Sequence, residues 1–194
     1  MVAFLESKGK NMDFYCDIKV LPDPEATEPV LISNLLSKLH RMLAKLQSNN
    51  IGVSFPNVDK TLGHTLRLHS DKKSLVNLLD TQWLKGLKDY CVVSELLAVP
   101  PSAQFRVVKR VQSKSAYNKR KRSIAKGWLS EEDALIKIAE DQQKQLKLPF
   151  VVINSGSTGQ RVKLFVEHSV ILKKAVSGEF NTYGLSKTAT VPWF

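Results

Sequence analysis

Apolar and polar positions follow the pattern of a small α+β domain over the first half of the chain. Residues 13–21, DFYCDIKVL, alternate with the two-residue period of a strand. Apolar residues then recur at helical spacing from Leu31 to Leu46, which predicts an amphipathic helix. The next elements are predicted as short strands at 51–56 and 66–69, a helix opened by Asp71 or Ser74, and a strand over 90–100.

The order of these elements, β-α-β-β-α-β over residues 12–100, is that of a ferredoxin-like, RRM-like fold. Many RNA-binding modules share this fold, although a fold alone does not establish a function. We therefore predict an N-terminal extension (1–11), a ferredoxin-like domain (12–101) and a second domain (102–194).

The second domain is predicted to be a smaller α+β unit that carries a basic helix. A strand-like stretch over 106–114 leads into that helix, and Ser130-Glu-Glu-Asp133 resembles a capping box that opens another helix running to about Leu146. Two strands, PFVVIN and RVKLFVEHSV, follow around the loop SGSTGQ, and the chain closes in VPWF. The fold class expected from the pattern is thus α+β in both parts.

The lengths of the apolar runs, the N-terminal residues and the cysteine content exclude several classes of protein. No apolar run approaches the roughly 20 residues of a membrane span, and the first 11 residues lack the features of a secretory signal. Cys16 and Cys91 lie 75 positions apart in strand-like contexts, which favours buried thiols in a reducing compartment. We expect a cytoplasmic protein with no membrane partner, and no metal or cofactor, because no motif with zinc or phosphate-loop spacing is present.

Positive charge is concentrated in one segment, 106–126. The chain carries a formal net charge of +11, and this segment holds nine Lys/Arg and no acidic residue. Charge concentrated in this way indicates a polyanionic partner. A solvated or disordered basic loop, or a localisation signal, would give the same composition.

The two halves of the segment predict different contacts. In its strand-like half, Arg110 and Gln112 share one face, and both side chains can read a base edge. The half that follows has helical spacing and so few apolar residues that it must lie in solvent or in a nucleic acid groove. The candidate phosphate ligands are Lys114, which precedes the predicted helix, and five cations of the stretch with helical spacing: Lys119, Arg120, Lys121, Arg122 and Lys126.

His40 is the candidate for proton transfer if the partner is RNA. Cleavage of RNA needs only a group that activates the ribose 2′-OH and holds it in line with the phosphorus. His40 lies about 100° around the predicted helix from the centre of its apolar stripe, so it can face a cleft on a rigid support. A half-exposed histidine at the edge of a core has the same pattern.

Two further stretches could complete such a site. The loop 154–160, NSGSTGQ, concentrates hydroxyls and backbone N–H groups that can grip a phosphate, although an ordinary hairpin turn has the same composition. Tyr183 could hydrogen-bond a histidine, but a tyrosine after a turn is also common packing.

Taken together, MDFYCDI, LLSKLHRML, IGVSFP, RVQSKS with the basic helix, GWLSEEDA, LPFV with SGSTGQ, and YGLS with VPWF resemble one family. That family is the CRISPR type I-F (Ypest subtype) repeat-RNA endoribonucleases, and the resemblance runs in one order from Met12 to Phe194. It implies a metal-independent enzyme without cofactor that binds the repeat stem-loop and cuts precursor crRNA at the 3′ base of the stem. It also implies a monomer when alone, which stays on its product within a surveillance complex of other subunits.

The resemblance also implies roles for particular residues. His40 would transfer the proton, Ser155 would constrain the 2′-OH and Tyr183 would orient His40. Arg110 and Gln112 would read base pairs at the foot of the stem, the basic helix would enter the major groove, and Ser157 and Thr158 would contact the RNA. Val162 departs from the pattern, because the family has a phenylalanine there that stacks on a base.

Two other functions remain open from the residues. A non-catalytic hairpin-binding subunit of a ribonucleoprotein would bind the repeat without cutting it. A duplex-DNA binder would use the same basic helix and would bind a DNA hairpin equally well.

Overall fold

The computed structural model describes residues 12–21, 23–112, 116–138, 146–154 and 161–194. The predicted N-terminal extension lies outside these residues. Their strands are β1 Phe14–Val20, β2 Gly52–Ser54, β3 Thr65–Ser70, β4 Cys91–Val93, β5 Leu97–Ala98, β6 Gln104–Arg106, β7 Val108–Val111, β8 Phe150–Asn154, β9 Arg161–His168 and β10 Val191–Trp193. Their helices are α1 Glu28–Lys45, α2 Lys72–Asp80, α3 Ala116–Ala125 and α4 Glu131–Lys137, with a 3₁₀ turn at Lys88–Tyr90.

The first sheet has the strand order β2-β3-β1-β4, with antiparallel neighbours. Along the chain these four strands and two helices follow the order β-α-β-β-α-β, so the ferredoxin-like fold predicted from the sequence is confirmed. The apolar stripe of α1 forms the core against this sheet, and its central leucines are fully buried (Leu35, Leu36, Leu39). Pro29 in the first turn, where a missing N–H costs nothing, favours the start of α1.

The strand predicted over 90–100 is interrupted. β1 pairs Ile18 with Val93 and Tyr15 with Leu97. Three residues of the outer strand therefore lie opposite two residues of β1 between these pairs. The extra residue forms a bulge. Ser94 holds the bulge, because its hydroxyl accepts a hydrogen bond from the N–H of Asp17 at 2.9 Å.

The basic stretch predicted as one strand over 106–114 is two strands in different sheets. β6 pairs with β10, whereas β7 belongs to a sheet of order β7-β9-β8. The chain changes sheet at Val107, whose N–H and carbonyl both bond Ser169 at 2.9 Å. β7 ends at Val111, so Gln112 follows the strand rather than lying within it.

Described residues up to Arg110 and from Leu148 onward form one compact unit, and Val111–Lys147 form another. Within the second unit, Ser130 caps α4 by accepting a hydrogen bond from the N–H of Asp133 at 3.0 Å, as the sequence predicts. α4 ends at Lys137, and most of the remaining stretch of the helix predicted to run to about Leu146, residues 139–145, lies outside the described residues. Ile138 caps it with φ −122° and ψ 70°, outside the helical region.

The face of the first sheet that points away from its helices is covered by residues 191–194. Arg67 lies there between two aromatic rings, with its guanidinium carbon 4.6 Å from the Tyr15 centroid and 4.1 Å from that of Phe194. Asp17 accepts two hydrogen bonds from the same guanidinium, at 2.6 and 2.9 Å. Gly52 lies beneath this cover, and a Cβ there would be 2.6 Å from Val191 Cγ1.

Candidate functional site

Helix α1 places His40 at the boundary of the core. The neighbouring Leu39 is fully buried and fixes the rotation of the helix, while His40 is half-buried on the adjoining side. A side chain so placed has a rigid support and access to solvent, which is what the helical spacing predicts for it.

A hydrogen bond fixes the orientation of the His40 ring. Its Nδ1 lies 3.2 Å from the backbone oxygen of Thr182. A carbonyl oxygen can only accept, so Nδ1 carries the proton in this bond and, in the neutral ring, Nε2 carries the lone pair. The ring is therefore held in the tautomer that a general base requires.

The turn that supplies this carbonyl is itself held tightly. The Asn181 side-chain oxygen accepts hydrogen bonds from the N–H groups of Tyr183 at 2.8 Å and Leu185 at 3.2 Å. Gly184 adopts φ +70°, and a Cβ at this position would lie 2.5 Å from Val53 Cγ1. Its carbonyl accepts from the N–H of Val53 at 2.8 Å, so the turn is anchored to β2.

Tyr183 contacts His40 by stacking. The two ring centroids are 3.9 Å apart and the planes differ by 4°. The hydrogen bonds of an imidazole lie in the plane of its ring, so a ring stacked on its face cannot make one with either nitrogen. The contact is thus a face-to-face stack, and not the hydrogen bond considered from the sequence.

Arg110 extends the cluster from β7. Its guanidinium carbon lies 5.8 Å from the Tyr183 ring centroid. Its Nε is buried and has no hydrogen-bond partner among the residues that the structure describes. A buried donor without a partner is costly in a free protein, so this guanidinium is suited to an acceptor on a ligand.

The electrostatics of the cluster favour a neutral histidine. Burial lowers the pKa of His40 below its usual 6.5, the Thr182 hydrogen bond opposes this, and the positive charges of Arg110 and Arg41 lower the pKa further. Burial raises the pKa of Tyr183 above its usual 10, with Arg110 acting in the other direction. At neutral pH the site therefore presents an unprotonated imidazole and a protonated phenol.

The other predicted RNA ligands that the structure describes belong to the unit formed by Val111–Lys147. Gln112 is exposed just after β7. In the unit formed by Val111–Lys147, α3 carries half-buried Lys119 and Arg120, and exposed Lys121 and Arg122. Just after that helix, the Lys126 ammonium lies 4.5 Å from the ring centroid of Trp128.

Four predicted site residues lie outside the described residues: Lys114, Ser155, Ser157 and Thr158. Val162 is half-buried and packs against the core. The carbonyl of Thr182 is the functional group that sequence reasoning missed, because a backbone acceptor leaves no signal in the side-chain pattern.

The described residues offer no cluster for metal chemistry and no helix for membrane insertion. They contain no group of three or more His, Cys, Asp or Glu placed to hold a metal ion. None of their helices combines the length and apolar character that a membrane crossing needs. Cys16 and Cys91 are free and buried, as predicted.

Comparison with known proteins gives one family. The family model described as CRISPR-associated protein (Cas_Csy4) matches residues 15–194. A protein of Escherichia coli (strain UTI89 / UPEC), named CRISPR-associated endonuclease Cas6/Csy4, is 46% identical over 184 residues, which cover 94% of this chain and all of the relative. A protein of Pseudomonas aeruginosa (strain UCBPP-PA14) with the same name is 42% identical over 187 residues, with the same coverage.

Proposed function

The chain belongs to the Cas_Csy4 family of CRISPR-associated proteins, and from that premise we propose how it acts. It is an endoribonuclease that acts on CRISPR RNA, as the name endonuclease of its relatives supports. It binds the stem-loop of the repeat and cuts precursor crRNA at the 3′ base of the stem. Its buried free thiols suit the reducing cytoplasm in which we propose that it works.

The observation that carries this proposal is the fixed, neutral His40. Nε2 of His40 takes the proton of the ribose 2′-OH, and the 2′-oxygen attacks the adjacent phosphorus. The bond from phosphorus to the 5′-oxygen breaks, and that oxygen takes a proton from water as it leaves, while the proton held by His40 returns to the solvent. The products are a 2′,3′-cyclic phosphate and a 5′-hydroxyl. Because the substrate supplies its own nucleophile, the reaction is expected to proceed in a chelator.

Positioning is divided among the neighbours of His40. Tyr183 supports the ring from its face, and Thr182 holds Nδ1. Ser155 is proposed, on the family resemblance, to constrain the 2′-OH. In-line geometry of this kind can account for a large part of the rate enhancement, because the entropy cost of orienting the reacting atoms is already met when the RNA binds.

Recognition is proposed to use two kinds of contact. Arg110, whose Nε has no hydrogen-bond partner among the described residues, reads base edges at the foot of the stem together with Gln112. The cations of α3 bind phosphates and Ser157 and Thr158 contact the RNA, which gives affinity but little sequence preference. Substitution Arg110→Ala should therefore relax preference at one base pair by about 1–3 kcal/mol.

We propose further that the protein is a monomer when alone and remains on its product. Bound there, it forms part of a surveillance complex with other subunits. Tight product binding follows if most contacts are made to the stem, which the cut leaves whole.

The proposal is tested with His40→Ala and repeat RNA in EDTA. We expect the cleavage rate of this variant to fall by about 10²- to 10⁴-fold. Its hairpin affinity should stay within about twofold of wild type, because one imidazole adds little to a contact made mainly by cations. His64→Ala is the matched control, since His64 lies in a loop before β3 and is expected to cut normally.

Two outcomes would contradict the proposal. Wild-type protein that binds the repeat but never cuts it would indicate a non-catalytic hairpin-binding subunit. Equal affinity for a DNA hairpin of the same sequence would indicate a duplex-DNA binder.

A further inference from the structure

A pocket lies beside the N-terminal half of α1, away from the His40 cluster. It has a volume of about 500 Å³, within the range of small-ligand sites. Helix α1, the loop before β3 and the β8–β9 hairpin form its walls. The side chains that matter for the argument are Ser33, Asn34, Lys60, Phe150 and Arg161.

The β8–β9 hairpin gives this pocket an aromatic ring that is open to solvent and held in place. Phe150 pairs with Phe165 across the hairpin, and the two ring centroids are 5.4 Å apart. The Lys163 ammonium lies 4.6 Å from the Phe150 centroid. Phe150 is still 38% exposed, whereas Val151, which faces the other way, is 1% exposed. An exposed ring fixed by its neighbours is a surface on which a flat group can stack.

The charge around the ring is positive. Lys60 and Arg161 line the pocket, and Lys163 adds a third cation on the same face of the hairpin. No carboxylate is among the described residues that line it. Cations beside an exposed aromatic ring are the combination with which proteins bind single-stranded nucleic acid without reading its sequence.

The pocket and the His40 cluster share one helix. Ser33 lines the pocket and lies seven residues before His40, so the two side chains leave α1 on the same side, about 10 Å apart along its axis. Ser33 also ties the helix to β8, because its hydroxyl accepts a hydrogen bond from the N–H of Val152 at 3.1 Å. A strand of RNA whose phosphate lies at His40 therefore has a short path along α1 to the pocket.

We propose that this pocket binds the single-stranded RNA on the 3′ side of the scissile phosphate. One base lies on Phe150, and the phosphates of the same segment contact Lys60, Arg161 and Lys163. The inference rests on the proposed function, which places the cut at the 3′ base of a stem. Paired bases of the stem are stacked on one another and cannot reach a separate ring, whereas the unpaired 3′ flank can unstack.

The test compares two hairpins that carry a 2′-deoxy sugar at the cleavage position, so that neither is cut. One ends directly after the cleavage position, and the other extends by about six unpaired nucleotides, the scale of a single-strand site. We expect the extension to tighten binding by wild type at least about fivefold, the effect of one stacked base. Phe150→Leu keeps an apolar side chain against Phe165 but removes the ring, and it should lose this gain while binding the short hairpin normally.

Salt dependence tests the cations separately. The slope of log K against log salt should be steeper for the extended hairpin, by about 0.7 for each phosphate bound. The double variant Lys60→Ala, Arg161→Ala should remove this difference between the two RNAs. Lys73→Ala with Lys174→Ala is the control, because it removes the same charge from two exposed lysines that do not line the pocket.

The proposal is overturned if the extension gives wild type no gain, or if both pocket variants keep the whole gain. It is also overturned if a 5′ extension depends on Phe150 as strongly as a 3′ extension does. Failure of the proposed function would appear differently, as a wild-type protein that does not cut a short hairpin with an intact 2′-OH. Thermal melting of each variant confirms that it is folded.

Discussion

Replacing Tyr183 by leucine removes the ring that stacks on His40 and leaves the Thr182 hydrogen bond in place. A stacked aromatic pair contributes about 0.5–1.5 kcal/mol beyond its buried area. If that energy serves to hold the imidazole, the cleavage rate should fall about 2- to 13-fold, since about 1.4 kcal/mol corresponds to a factor of ten. Loss of the general base itself in His40→Ala should cost more, about 10²- to 10⁴-fold.

The matched change is Tyr183→Phe, which keeps the stack and removes only the hydroxyl. Because the parallel rings at 3.9 Å leave that hydroxyl no hydrogen bond to His40, we expect a rate within about twofold of wild type. Single-turnover cleavage of labelled repeat RNA at saturating enzyme measures the chemical step directly. Hairpin affinity, measured in parallel, should be unchanged in both variants.

Either of two results would refute this reasoning. If Tyr183→Phe lost as much activity as His40→Ala, the phenol would take part in the chemistry, and the stack would not be its main role. If Tyr183→Leu had no effect at all, the Thr182 carbonyl alone would suffice to hold the ring.

Three other predictions follow from charge and burial. Because the pKa of His40 is lowered, kcat/KM should rise with pH through a midpoint below 6.5, and a midpoint above 6.5 would contradict this. The buried His69 and His168 have pKa values of about 3 and about 4, so the unfolded chain binds more protons below about pH 6.5. Urea titrations should therefore show a free energy of unfolding that decreases from about pH 6.5 towards pH 3. Neutralising Arg120, Lys121 and Arg122 of α3 together should weaken the binding of all stem sequences and flatten the salt dependence of binding. A loss of affinity confined to one stem sequence would contradict the proposal that these cations bind phosphates.

The elements that depend on local pattern were predictable from the sequence. Alternation in DFYCDIKVL gives β1, and the apolar stripe between Leu31 and Leu46 gives α1 with His40 at its edge. These patterns persist because one face of each element is buried against the other. The ferredoxin-like order then follows from the sequence of elements along the chain.

The two strand predictions that differ from the structure involve partners far along the chain. The alternation of 106–111 is continuous, yet β6 pairs with Val191–Trp193 and β7 joins the sheet of β9. The bulge beside Ser94 likewise depends on Asp17, 77 residues away. Local alternation cannot show which strand will lie alongside, so the break at Val107 could not be predicted.

The residues of the candidate site could be predicted from the sequence, but their spatial arrangement could not. The sequence and its family resemblance indicate His40, Tyr183 and Arg110 as candidates. The stacking of two of these rings, and the backbone carbonyl that fixes the histidine tautomer, arise only when the turn at 181–184 packs against β2. Whether Ser155 completes the arrangement stays a prediction.

The cover over the first sheet has a consequence for how such a protein can evolve. In RRM modules the exposed sheet is the platform on which bases stack. Here Phe194 and Arg67 already fill that platform, with Tyr15 on the far side of the guanidinium. We therefore propose that substrate is bound outside this covered face, by side chains such as His40, Tyr183 and Arg110. New substrate preferences can then arise by changing these outer side chains while the scaffold keeps its stability.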